Sequence, residues 1–403
     1  MSIDSVLAVN FLKNVGSIAL AIGILLAMVT VHEFGHYIVG KLLNFKITEF
    51  SVGFGPAIFK KRSKKSGELF ALRVVPLGGY CAFDGEDEYE EETAETAENA
   101  ETEQEETQAQ TDEYPEPKGE RFNDQAPWKR ILVLIAGATM NYLLALVLII
   151  AMFAGIGRPL YSVVVEKPNT DTATVATVAT VAEISAQTND ALGLQTGDVI
   201  LKINGKNVYV ITDYLDALSG EKAGAEIPVL VLTNGETKMR TLVLATDANF
   251  ANMTDTKTLL KAMNIYGLYS VTEKQGFFPS IGHSFAYSFK IGGTVLRSLG
   301  ELLTGKLGIN AMGGPVTTIS VTAQAASSGL ASFLNIAAFI GVNLAVFNLL
   351  PVPALDGCKV IFCLIEWIRK KPVNRKVEAI INLVGIIFLF GFAILVDLLQ
   401  LIF

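Results

Sequence analysis

The chain has 403 residues, 51% of them hydrophobic, with a mean hydropathy of +0.42. Soluble domains rarely average that apolar, so several bilayer spans are expected. The net charge of −8 is set by one tract. Between Asp84 and Glu116 lie 16 carboxylates and no Lys or Arg, which leaves 24 acidic against 32 basic residues, a net +8, over the remainder.

The first apolar run covers residues 15–43. It lacks a basic start, is too long for a signal peptide, and ends in His-Glu-Phe-Gly-His where a cleavage site would need small residues, so it reads as a retained span. Runs at 131–156, 333–355 and 379–403 also supply the roughly 20 helical residues that cross about 30 Å of hydrocarbon. Lys60, Lys61, Arg62, Lys64 and Lys65 lie in the loop after the first run, and Lys129 and Arg130 just before the second. Arg369, Lys370, Lys371, Arg375 and Lys376 lie between the third and fourth. Both loops are therefore expected on the cytoplasmic side, with both termini and the long middle section outside.

Residues 47–80 are punctuated by Gly53, Gly55, Pro56, Gly67, Gly78 and Gly79, which predicts hairpins and a small sheet. Residues 86–117 hold Glu, Thr, Ala and Gln with almost no large apolar side chain. Such a segment cannot bury enough surface to offset its ordering entropy and is expected to be disordered. Beyond the second span, repeated Thr-Ala-Val units fill residues 170–182. A compact domain follows to about Thr246. Gly197-Asp198 predicts a turn before an alternating strand, Asn204-Gly205 and Asn234-Gly235 predict hairpins, and residues 212–219 predict a short helix capped by Thr212. Residues 227–232 and 239–244 read as strands. The run from Ala191 to Gly205, Ala-Leu-Gly-Leu-Gln-Thr-Gly-Asp-Val-Ile-Leu-Lys-Ile-Asn-Gly, resembles a bacterial PDZ domain. Such a domain takes a peptide by strand addition and captures its carboxylate with backbone amides. In residues 280–307, Ile281, Phe285, Phe289, Leu296, Leu299 and Leu303 recur at helical spacing. This predicts a helix lying on a membrane surface or packed on a soluble domain.

Chemistry concentrates at His32-Glu33-Phe34-Gly35-His36. On a helix, residues i and i+4 share a face, so both imidazoles can reach one metal ion while Glu33 stands ready as a base. The chain has three histidines, and two form this motif inside an apolar span, where ionisable groups are costly and usually functional. Zinc needs a third protein ligand and an open position. His283 lies far along the chain on the expected outer side. Asp356, in Asn-Leu-Leu-Pro-Val-Pro-Ala-Leu-Asp-Gly (348–357), falls on the same side as the histidines and is the expected ligand; its alternative role is to cap a helix over 358–369. Pro351 and Pro353 break the helix just before it and free backbone groups at that depth. Cys81, Cys358 and Cys363 show no CxxC spacing; they read as reduced thiols outside any zinc site.

Taken together, HEFGH, Ser51-Val-Gly-Phe-Gly-Pro56, Val75-Pro-Leu-Gly-Gly-Tyr80, the PDZ-like run, Gly313-Gly-Pro315 and the 348–357 motif resemble the site-2 protease family of intramembrane zinc metalloproteases, in the bacterial, regulator-of-sigma-E-protease-like branch with one PDZ domain. The resemblance covers nearly the whole chain. It implies a polytopic α-helical membrane protein with four transmembrane helices, a small cytoplasmic β-rich loop region and an extracytoplasmic PDZ domain. The domain order is a first span with HExxH (1–44), a β-hairpin region (45–83), an acidic insert (84–118), a second span (119–157) and the PDZ domain (158–250). A linker with the amphipathic helix (251–332), a third span with Asp-Gly (333–370), and a basic loop with the fourth span (371–403) complete it.

The resemblance further implies one zinc ion held by His32, His36 and Asp356, with Glu33 as catalytic base. Asn343 and Asn348 match third-span asparagines near substrate, and Asn141 matches a second-span Gly-x-x-x-Asn pattern that starts at Gly137; Asn141 or Asn348 is a candidate oxyanion donor. Ala138 stands where a proline often follows that glycine, and Cys358 where a second glycine often follows Asp-Gly. The expected partners are single-span membrane substrates, such as anti-sigma-factor-like regulators or remnant signal peptides, and the lipid bilayer, with no nucleic acid. The expected location is the bacterial cytoplasmic membrane, with the active site near the cytoplasmic face. Two rivals remain: an inactive scaffold that binds peptides through its PDZ domain, and a metal transporter, which would spread ligands over several depths.

Overall fold

A computed structural model describes residues 3–86, 114–164, 193–246, 256–265, 267–305 and 313–402. Most of the acidic insert (87–113), the Thr-Ala-Val stretch and the first two residues of the PDZ-like run lie outside these residues. The chain divides into two compact units, Met1–Leu148 with Val295–Phe403, and Ile149–Thr294. Among the described residues, four helices are long and apolar enough to cross a membrane: Asn14–Leu42, Pro127–Gly155, Leu330–Asn348 and Arg375–Gln400.

The first unit opens with α1 (Ile3–Leu42). A turn through Asn44, whose φ of 63° is left-handed, leads into β1 (Ile47–Arg62) and β2 (Leu69–Phe83). These form the expected hairpin, bent rather than flat. Ile47–Val52 pairs with Phe83–Gly79 and also meets Leu69–Leu72, whose far side carries residues 59–62. The bends fall at glycines: Gly53 has φ 87°, and a Cβ there would strike the Val75 and Arg73 carbonyl oxygens. The hairpin is tied to α1 through Glu68, a carboxylate only 1% exposed. It accepts from Tyr37 Oη at 3.0 Å and from Ser66 Oγ at 3.0 Å, and it pairs with Lys41. Beneath lies an apolar cluster of Phe45, Ile47, Phe83, Phe122, Val133 and Leu134, whose last two members belong to α2 (Pro127–Gly155).

The second unit is built on a sheet in the order β7-β6-β4-β3-β8, with β5 paired to β4. The strands are β3 (Arg158–Val164), β4 (Val199–Ile203), β5 (Lys206–Asn207), β6 (Glu226–Thr233), β7 (Glu236–Val243) and β8 (Gly267–Glu273). The turns at Asn204-Gly205 and Asn234-Gly235 have positive φ at both residues, 51° and 75°, 50° and 81°, as two-residue hairpins require. Two helices, α3 (Ile211–Leu218) and α4 (Thr256–Ala262), complete a core that includes Ile200, Ile203, Tyr214, Leu218, Val229, Val231 and Leu259.

Two expectations need correction here. The helix is not capped by Thr212, which is its second residue; Val210 is the N-cap, and Asp213 Oδ2 reaches back to accept from the Tyr209 and Val210 N–H groups at 2.7 and 3.2 Å. A carboxylate is the stronger acceptor for orphan N–H groups at a helix start. The fold also runs past the expected boundary at 250. β8 pairs with β3 along its length, Arg158↔Glu273 to Val164↔Gly267, and α4 fills the core with Leu259 and Ala262.

Next comes α5 (Phe277–Leu303). It buries Ser280, Ser284 and Ser288 and exposes Phe278, Phe285, Phe289, Leu296 and Leu303. The buried Ser280 and Ser284 hydroxyls are satisfied by Gly276 and Ser280 carbonyls at 2.9 and 2.6 Å. Of the apolar stripe, Phe285, Phe289, Leu296 and Leu303 are exposed and Ile281 and Leu299 half-buried.

The first unit resumes with α6 (Pro315–Ser328), α7 (Leu330–Asn348), α8 (Asp356–Arg369) and α9 (Arg375–Ile402). The start of α6 is capped from another helix: the Val316 and Thr317 N–H groups donate to Asp397 of α9 at 3.0 and 3.3 Å. A Cβ at Gly314 would collide with that carboxylate. The third span is shorter than the sequence suggests. α7 ends at Asn348, not 355, because Pro351 and Pro353 cannot continue a helix.

Candidate metal centre

Three elements of the first unit bring chemistry to one place. On α1, His32 and His36 lie one turn apart, with Nε2 atoms 3.2 Å from each other. Asp356, first residue of α8, points its Oδ2 at them, 3.1 Å from His32 Nε2 and 3.4 Å from His36 Nε2. Leu355 is the N-cap of α8, and Asp356 in the first turn stands both at the helix start and against the two imidazoles. His32, His36 and Asp356 offer ligand atoms all within 4.8 Å of one another, a set able to hold a metal ion.

The reversal before Asp356 explains its position. After α7, Leu350 N bonds Phe347 O at 2.9 Å, Val352 N bonds Leu350 O at 2.7 Å and Leu355 N bonds Val352 O at 3.1 Å. Ala354 is forced to φ 74°. Its N–H points to Asn382 Oδ1 of α9 at 3.4 Å. A Cβ at Gly357 would strike the Leu350 and Leu349 carbonyls, and one at Gly385 of α9 would strike Pro353. Two glycines therefore allow the turn to fold back and to be clasped. Further along α8, Glu366 pairs with Arg130, which is 1% exposed at the start of α2, and with Arg375 at 3.9 Å.

α2 forms the opposite wall. A Cβ at Gly137 would meet His36 Nε2 and His32 Cε1, so the imidazoles lie against bare backbone. His36 Nδ1 is 2.8 Å from the Val133 carbonyl oxygen, and His32 Nδ1 is 3.4 Å from the Asn141 amide. Asn141 is 1% exposed.

Glu33 neighbours His32, His36 and Asp356 closely enough to interact electrostatically with each, and the Cys81 backbone of β2 lies close to its carboxylate. Gly79 of β2 lies against the same side chain. Asn343 is on α7 with a buried Oδ1 that makes no hydrogen bond; Asn348 is the last residue of that helix. Of the three asparagines, Asn141 is the one the structure sets beside an imidazole. His283 is elsewhere, 3.2 Å from Arg158 Nη1 in the second unit. Cys81, Cys358 and Cys363 are free and buried. The contributions of the Val133 carbonyl and the Cys81 backbone carry no sequence signal, because every residue has a backbone.

Zinc suits this donor set. Two imidazoles and one carboxylate are a catalytic zinc triad, and the buried Asp356 Oδ2 makes no hydrogen bond although both Nε2 atoms stand close by.

A family model described as Peptidase family M50 matches residues 20–392. A Clostridium perfringens protein whose name describes a zinc metalloprotease is 30% identical over 94% of this chain and 96% of its own length. Zinc metalloprotease RasP of Bacillus licheniformis is 27% identical over 90% of this chain and 93% of its own. Regulator of sigma-W protease RasP of Bacillus subtilis is 26% identical over 90% and 92%.

Proposed function

Because the chain belongs to peptidase family M50, the site-2 protease family, we propose that it is a zinc-dependent endopeptidase that cleaves single-span membrane proteins within or beside the bilayer. The observation that carries the reading is that His32, His36 and Asp356 bring their ligand atoms together, with Glu33 next in sequence to His32.

His32 Nε2, His36 Nε2 and a carboxylate oxygen of Asp356 would hold the metal, with Glu33 next to His32 on the same helix. Bound there, zinc supplies Lewis acidity at the scissile carbonyl and acidifies water. Glu33 takes the proton of the attacking water on its carboxylate and returns it to the leaving amine. Asn343 and Asn348, on the last turns of α7, face the substrate chain, and Asn348 is the nearer in sequence to Asp356 for donating to an oxyanion.

A substrate helix must unwind to present its backbone here, which favours single-span proteins: anti-sigma-factor-like regulators, in keeping with the name of the Bacillus subtilis relative, or remnant signal peptides. Basic loops put the site at the cytoplasmic side and the second unit outside. There it would act as a PDZ-type filter that passes substrates already trimmed. The peptidase family favours this reading over a scaffold or a transporter.

The test is co-expression of tagged single-span membrane proteins with wild type and Glu33→Gln. Zinc content should be unchanged in the variant, and cleavage should fall by at least about 100-fold, the lower end of what a general base contributes. Near wild-type cleavage by Glu33→Gln would overturn the mechanism.

A further inference from the structure

An imidazole that offers its Nε2 lone pair to a metal carries its proton on Nδ1, and that N–H needs an acceptor. For His36 the acceptor is the Val133 carbonyl, 2.8 Å away. For His32 the group at Nδ1 is the Asn141 amide, 3.4 Å away through its Nδ2. That orientation sets a donor against a donor and leaves Asn141 Oδ1 buried with no hydrogen bond. The two ends of a side-chain amide are told apart only by the network around them. Turning the amide over satisfies both groups at once: Oδ1 accepts from His32 Nδ1–H, and no buried oxygen is stranded.

We infer that Asn141 is a positioning residue whose side-chain oxygen fixes the tautomer and ring orientation of His32. The inference rests on the proposed zinc ligation. It turns α2 into a template for the whole histidine pair. Val133 and Asn141 lie four residues either side of Gly137, one turn up and one turn down. Gly137 admits the rings, and its two neighbours along the helix take one Nδ1–H each. It also gives the Gly-x-x-x-Asn pattern a physical reason: the spacing of one helical turn carries the amide from the ring face to the ring edge. The role differs from oxyanion donation, which needs the N–H₂ end of the amide.

Two substitutions separate acceptor from donor. Asn141→Asp keeps an acceptor oxygen in the same shape and removes the N–H groups; Asn141→Ala removes both. The measurement is zinc retention by detergent-purified protein against a graded chelator, with gel filtration to show a folded, monodisperse sample. Asn141→Asp should hold zinc within about threefold of wild type and Asn141→Ala should lose about 10–100-fold in affinity, the usual range for losing a ligand's outer partner. Wild-type retention by Asn141→Ala, or a loss in Asn141→Asp as deep as in Asn141→Ala, would overturn the inference. If Asn141→Ala does not fold, Asn141→Asp against wild type decides it alone. Absence of zinc from wild type would instead overturn the proposed ligation, and the inference with it, a result distinct from loss confined to the variants.

Discussion

Gly137 is where one missing methyl group matters most. Its Cα faces two imidazoles at once, and an added Cβ would meet His36 Nε2 and His32 Cε1. Neither ring can retreat freely: His36 is held by the Val133 carbonyl, and behind His32 lies Asn141, itself buried. Gly137→Ala should therefore fold, since alanine is the better helix former, yet displace the ligands and cut zinc affinity by at least about tenfold, the scale of a disturbed ligand shell. Chelator competition reads the loss; unchanged affinity would show that α1 and α2 can part at this crossing without cost. At this scale the sequence is half legible. His32, Glu33 and His36 announce themselves because ionisable groups rarely sit in an apolar helix. Asp356 follows from the need for a third ligand at the same depth. Glu68 is not legible: a carboxylate in a Gly-rich loop looks solvated, and only the fold shows it buried against Tyr37 and Lys41.

Among the elements, the reversal between α7 and α8 carries the most consequence, because it aims Asp356. Its prolines mark a break in the sequence, but the length of the break is not legible: the apolar run continues to 355 while the helix stops at Asn348. Hydropathy reports burial in an apolar medium, not hydrogen bonding. The geometry sorts the residues of the turn by backbone need. Ala354 occupies φ 74°, where its Cβ is disfavoured by roughly 1–2 kcal/mol. Ala354→Gly should therefore raise stability by up to about 1 kcal/mol after the extra unfolded-state freedom of glycine is deducted, seen as a higher thermal midpoint in detergent. Gly357→Ala should do the opposite and also loosen zinc, because its Cβ would push against the Leu350 carbonyl and swing Asp356 away. A rise in midpoint with Gly357→Ala would show that the reversal is not clasped as described. The hairpin turns of the second unit are the legible contrast. Asn204-Gly205 and Asn234-Gly235 declare positive φ in their residue types, and both adopt it.

For the whole molecule, the telling fact is how the second unit is inserted. Its last strand returns to its first: β8 lies beside β3 at the sheet's edge, so that Arg158 stands opposite Glu273 and pairs with it at 3.1 Å. This return is hidden in the sequence, where residues 251–275 show neither a strong strand alternation nor turn signals, and a strand more than 100 residues from its partner cannot be matched by local pattern. It makes the unit removable. Entry and exit lie on neighbouring antiparallel strands, about 5 Å apart, so residues 159–272 can be excised and the ends joined by a short Gly-Ser linker without stretching α2 or α5. The excised part has its own core and contributes no member of the His32–His36–Asp356 set. The shortened protein is therefore expected to hold zinc as wild type does. If the unit filters substrates, the shortened protein should also cleave an untrimmed membrane precursor that wild type rejects, while still cleaving the pre-trimmed form. Following both substrates with both proteins tests this. A shortened protein that holds zinc but cuts neither substrate would mean that the unit delivers substrates, and exclusion would fail as its role.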